Sequence, residues 1–186
     1  MTECSDEDMG RLIAAAQDGG GDALAIANRL IERHPGDARL HFLRGSFLAA
    51  ANRPIEAHAA LAQAVALAPD FALARFQLGL FELTSGEAAR AMATWQPLGS
   101  LPETHYLTRF VAGLTHLIHD RFADAREALL AGIAVNNENL PLNRDMQLIV
   151  DQCAALLPTI ETPAPGEAAS ATSFLLGQSG GHGTMH

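Results

Sequence analysis

Apolar positions along this chain come in blocks with helical spacing, and polar or glycine-containing breaks separate the blocks. Three successive stretches read ARLHFLRGSFLAAANRPIEAHAALAQAVALAPD, ALARFQLGLFELTSGEAARAMATWQPLGSLPE and YLTRFVAGLTHLIHDRFADAREALLAGIAVNNE. Each predicts an amphipathic helix, a short turn and a second helix. The turns fall at residues 52–54, 85–87 and 120–122, with Pro54 and Gly86 as punctuation. A further stripe of Met146, Leu148, Ile149, Cys153, Leu156 and Leu157 predicts one more helix over residues 140–157. Pro97 and Gly99 stand inside what would be a second helix of the middle stretch, so that helix is expected to end near Gln96.

The three stretches are copies of one unit. Gly45, Gly79 and Gly113 are 34 residues apart, and so are Ala23, Ala57, Ala91 and Ala125. A period of this length predicts stacked helix–turn–helix units. Within each copy the glycine permits close helix approach, the alanine twelve residues on sits at the crossing, and a bulky residue follows (Leu61, Trp95, Leu129). Counting back places a degenerate leading copy over residues 5–36, with Ala23 in register, Arg11 in the glycine position and a loose turn at residues 19–21.

First-helix glycine, second-helix alanine, large apolar residue and closing proline (Pro35, Pro69) together resemble the tetratricopeptide repeat family, and the alanine- and arginine-rich composition suggests a bacterial type. The resemblance covers roughly residues 5–157. It departs where His41, Arg75 and Arg109 replace the family's early aromatic, and where Asn136 and Asn137 replace a closing proline. Arg75 and Arg109 recur at the period and read as structural, with packed stems and heads reaching Glu82 or solvent. The fold implied is an all-α, right-handed α-solenoid: a degenerate repeat at 5–36, repeats at 38–71, 72–105 and 106–139, and a capping helix at 140–157. From residue 158 the composition turns to Pro, Gly, Ala, Ser and Thr, which predicts a flexible tail over 158–186.

In this family the first helices line a concave face. On that face the resemblance places Phe42, Phe76, Leu80, Leu83, Phe110, Leu114 and Leu117, a strip suited to an apolar or amphipathic segment of a partner protein or peptide. The phenylalanines also fit plain packing between neighbouring helices. Ser46, Leu80 and Leu114, in a chain without lysine, do not suit an acidic carboxy-terminal peptide. Phe174, Leu175 and Leu176 form an apolar island in the tail and are a possible internal ligand for the same strip.

Charge narrows the function. The net charge is −9, and all 12 basic residues are arginine. That balance disfavours nucleic acid, which needs a basic stripe, and anionic lipid. No apolar run approaches the roughly 20 residues of a membrane span, and the acidic start has no signal-peptide pattern. Cys4 and Cys153, near opposite ends, suggest no disulfide framework, so a reduced cytoplasmic protein is expected. His116 and His119, one turn apart with His105 nearby in sequence, and His182 and His186 in the tail, give only weak metal spacing. No nucleophile–base pair or phosphate loop is visible, so the expectation is a non-enzyme without cofactor: a protein-binding adaptor, or alternatively a secretion-type chaperone for a hydrophobic client.

Overall fold

The computed structural model describes residues 3–17 and 22–161, with the side chains of the last helix described as far as Leu156. The glycine turn at 19–21, the tail from 162 and the island Phe174, Leu175 and Leu176 lie outside the described residues. Nine α-helices occur among the described residues: α1 (Asp6–Gln17), α2 (Ala23–Arg33), α3 (Ala38–Ala50), α4 (Pro54–Leu67), α5 (Ala72–Thr84), α6 (Ala88–Trp95), α7 (Tyr106–Ile118), α8 (Phe122–Val135) and α9 (Leu140–Glu161). Consecutive helices pair as α1/α2, α3/α4 and α7/α8. The chain divides into two compact units, Met1–Leu78 and Gly79–His186, the division falling inside α5.

Each internal turn is built the same way. Asn52, Gly86 and Asp120, one repeat apart, hold left-handed φ values of 54°, 86° and 56°. The next amide reaches back five residues in each: Arg53 to the Leu48 carbonyl, Glu87 to Glu82 and Arg121 to His116, at 2.9–3.0 Å. This is the Schellman closure of a helix, and it selects glycine, asparagine or aspartate because other side chains meet steric strain there. The helix starts are periodic as well. Asp37 accepts from the Arg39 amide, His105 Nδ1 from the Leu107 amide and Asn139 from the Leu142 amide, each an N-cap.

The glycines act where the helices cross. A Cβ built on Gly45 would stand 2.7 Å from Leu61 Cγ, and one on Gly113 would stand 2.6 Å from Leu129 Cγ and 3.1 Å from the Ala125 carbonyl oxygen. At Gly79 the nearest atoms belong to the Trp95 indole, the bulky residue of that copy. In the middle copy α6 stops at Trp95 and the chain continues as a 3₁₀ turn, Gln96–Ser100, with Pro97 in its first turn. Proline lacks the amide an α-helix would need at that point.

Within the first unit, α1, α2 and the start of α3 share a core of Cys4, Leu12, Ala23, Ala27, Leu30 and Leu40. A clamp tethers the amino terminus to it. The Cys4 amide donates to Asp37 Oδ2 at 2.8 Å, Arg39 donates to the Cys4 carbonyl at 2.9 Å, and Arg39 pairs with Asp37 at 2.7 Å. Burial pushes the Asp37 carboxyl up, but the Arg39 side chain and the Cys4 and Arg39 amides outweigh it and hold the group at about 2.

Within the second unit α8 packs on α7 and on α9. The α8–α9 corner is organised by buried Asn136. Its carbonyl oxygen Oδ1 accepts from the Glu138 and Asn139 amides, and Nδ2 donates to the Asn139 carbonyl and to Asn143. This network occupies the place of the family's closing proline. Helix α9 runs to Glu161, past the boundary expected at Leu157, and buries Leu142, Met146, Ile149, Val150 and Cys153.

Candidate functional site

The early polar residue of each copy has a defined backbone partner. His41 Nε2 donates to the Pro35 carbonyl at 2.9 Å, Arg75 donates to the Pro69 carbonyl at 2.9 Å, and Arg109 Nε reaches the Glu103 carbonyl at 3.5 Å. Each spans six residues back to the loop that precedes its helix, and Arg109 also donates to the Ala131 carbonyl at 2.9 Å. Glu82 is held by Thr94 at 2.6 Å and Arg90 at 3.1 Å. These residues are latches between helix and loop.

The strip proposed from sequence divides sharply. Phe76, Phe110 and Leu114 are 0% exposed, Leu83 is 1% and Leu117 is 2%. Phe42 and Leu80 are half-buried. The expectation of a continuous exposed apolar strip is therefore corrected: five of its seven side chains are core. The packing of α7 gives the reason. At about 100° per residue, Gly113, Tyr106, Leu117, Phe110, Leu114 and Leu107 fall on one arc about 120° wide. All six are buried. Phe110 lies on Gly132 of α8, where an added Cβ would come within 2.5 Å of its ring, and meets Tyr106 edge-on at 5.8 Å.

Helix α3 uses its face differently. Its buried residues are Leu40, His41, Gly45 and Leu48. The positions equivalent to the closed α7 strip are Arg39, Phe42, Ser46 and Ala49, which point away from that buried arc. Ala49 and Ala50 are exposed, and Phe42 and Ser46 are half-buried. Phe42 shares its opening with half-buried Phe71, the rings 5.3 Å apart and tilted by 55°. The α3 face is thus an aromatic pair beside a shallow run of small side chains. Sequence reasoning missed Phe71. Its signal was the 34-residue register, since Phe71 takes the cap position held by Asp37, His105 and Asn139.

His105 caps the start of α7, while His116 and His119 sit at its other end. The nearest acid to His116 is Asp124, 3.9 Å from Nδ1. Among the described residues no three His, Cys, Asp or Glu side chains converge as metal ligands. Cys4 and Cys153 are free and buried, and burial raises both thiols above their ordinary value. Among the described residues no helix is long and apolar enough to cross a membrane.

No protein-family model and no curated protein matches the chain. Several solved structures are similar to it. One is residues 41 to the end of MamA from Desulfovibrio magneticus RS-1, with a TM-score of 0.57 at 13% identity, covering 84% of this chain and 94% of that one. Another is the Naa15/Naa10 complex bound to HypK-THB, with a TM-score of 0.51 at 18% identity, covering 86% of this chain and 26% of that one. At such identities the likeness shows the fold alone. That fold is all-α and tetratricopeptide-like, of the α-solenoid class.

Proposed function

We propose that the chain is a non-enzymatic protein–protein interaction module that holds an apolar or amphipathic segment of a partner on the open face of α3. The observation that supports this reading is the contrast between two equivalent helices. Helix α7 fills its repeat face with Leu107, Phe110, Leu114 and Leu117 and buries all four. Helix α3 carries Phe42, Ser46 and Ala49 at the matching places and leaves the first two half-buried and Ala49 exposed. A half-exposed aromatic pair beside small residues suits a helix or strand that presents one apolar side chain to the rings and packs its backbone over the alanines.

The fold neighbours fit this reading, since one of them was solved in a complex with other proteins. A photo-crosslinking side chain at Ala49 should capture a discrete partner in cells that express the chain, with loss of that product on Phe42→Ser. The same crosslinker at Ala123, exposed on α8, should not capture it. Equal products at the two positions, or a product indifferent to Phe42→Ser, would remove the α3 face from the proposal. A captured client that precipitates without the chain would identify the chaperone variant of the reading, and one soluble by itself the adaptor.

A further inference from the structure

The leading repeat departs from the others at its helix crossing, and a cleft lies beside that crossing. Arg11 stands where Gly45, Gly79 and Gly113 stand in the other copies. In those copies the glycine leaves no room for a Cβ, because Leu61, Trp95 or Leu129 lies against it. Here the sizes are exchanged: the long side chain is on α1, and buried Ala27 takes the bulky position on α2. Beside that crossing lies a cleft of about 470 Å³, within the range of ligand-sized pockets. Ile26 and Leu30 give it apolar lining, and Glu32 is among its acidic groups.

Its charge is unusual for this protein. Arg11, Arg29 and Arg33 line the cleft against two carboxylates, Asp8 and Glu32, a local excess of positive charge in a chain of net charge −9. Asp8 already stands between two of the arginines, 3.7 Å from Arg11 and 3.8 Å from Arg33. Those separations exceed the roughly 2.7–2.9 Å of a direct charge-assisted bond. Arg11 also pairs with Glu7 at 2.6 Å on the exposed side of α1. Arg29 is exposed and makes no hydrogen bond or ion pair with any described residue. The cleft therefore has a guanidinium that no described residue engages, a loosely held one and an apolar floor.

We infer that this cleft is a second docking site, for a partner segment that carries a carboxylate next to a bulky apolar side chain. The carboxylate pairs with Arg29 and Arg33, where a planar fork fits it in two-point geometry. The apolar neighbour covers Ile26 and Leu30. An isolated phosphate would use the charge and leave that floor uncovered, which is why the structure favours a protein segment. The site rests on the α1–α2 pair alone and is independent of the α3 face.

The test is a titration of the full chain, followed by the side-chain Nε–H signals of its arginines in ¹⁵N-correlated NMR spectra. The probes are the peptides acetyl-Leu-Glu-Phe-Asp-amide and acetyl-Leu-Gln-Phe-Asn-amide, with inorganic phosphate as a third ligand. The acidic peptide should shift the Arg29 and Arg33 signals saturably, and the neutral peptide should not. Arg29→Leu should weaken binding about three- to fivefold, the scale of one exposed ion pair, whereas Arg144→Leu, which removes the same charge from α9, should leave it unchanged. Equal binding of both peptides, or equal losses in the two variants, would overturn the site. Phosphate competing at the peptide's own concentration would make it a general anion site and overturn the assignment to a protein segment. A tighter peptide complex on Glu167→Gln would give the cleft to the chain's own tail. Peptide-free mass rising with concentration and falling on Arg29→Leu would give it to a second copy.

Discussion

Replacing Gly113 with alanine separates packing from helix propensity, because the two act in opposite directions. Alanine in a helix interior is favoured over glycine by about 0.5–1 kcal/mol. At Gly113 the new methyl would stand 2.6 Å from Leu129 Cγ, 2.8 Å from Leu129 Cδ2 and 3.1 Å from the Ala125 carbonyl oxygen. Leu129 is 0% exposed, and the carbonyl belongs to the backbone of α8. Relief therefore requires the helices to part by several tenths of an ångström, and overpacking of this kind costs about 1–3 kcal/mol. The net expectation is a loss of about 1–2 kcal/mol in urea unfolding followed by circular dichroism. Gly10 in α1 is the opposite case, with nothing within 4 Å of an added Cβ, so Gly10→Ala should stabilise by about 0.5–1 kcal/mol. In a Leu129→Ala background, where the methyl has room, Gly113→Ala should turn from destabilising to neutral or stabilising. If Gly113→Ala behaves like Gly10→Ala in the native background, the crossing is not set by the glycine and the repeat argument loses its physical basis.

Asp37 stabilises the fold most when ionised, because its folded pKa of about 2 lies below the ordinary value of 3.8. That contribution, on the order of 2 kcal/mol, should be complete above pH 4 and fade as pH falls towards 2, so the stability gap between the native chain and Asp37→Asn should close over that window. Asn136→Ala removes the hydrogen bonds that organise the α8–α9 corner and should cost about 2–4 kcal/mol by urea unfolding, with amide exchange accelerating first in α9.

The 34-residue register made the helix pairs legible, because glycine, alanine and bulky residue repeat at fixed offsets and each has a steric role. Pro97 announced the early end of α6 for an equally local reason. The site was harder to read. An apolar stripe on a helix has the same pattern whether a neighbour covers it or not, so Leu114 and Ser46 looked like variants of one groove position. In the structure Leu114 is core and Ser46 is half-buried. Reading the copies separately would have helped, since Arg39, Ser46 and Ala49 already differ in size and polarity from Leu107, Leu114 and Leu117. The latches of His41, Arg75 and Arg109 were beyond pattern, because their acceptors are backbone carbonyls that carry no sequence identity. The Cys4–Asp37–Arg39 clamp joins residues more than thirty positions apart, and neither end marks the other.

The division between a closed α7 and an open α3 is tested most directly by urea unfolding of two polar substitutions at equivalent repeat positions. Leu114→Asn, at a side chain 0% exposed, should lose at least about 2–5 kcal/mol, the range for emptying a buried leucine site. Ser46→Asn, on the half-open face of α3, should change stability by no more than about 0.5 kcal/mol. A Leu114→Asn chain as stable as the native one would show that α7 presents its apolar strip to partners after all, and would contradict the account.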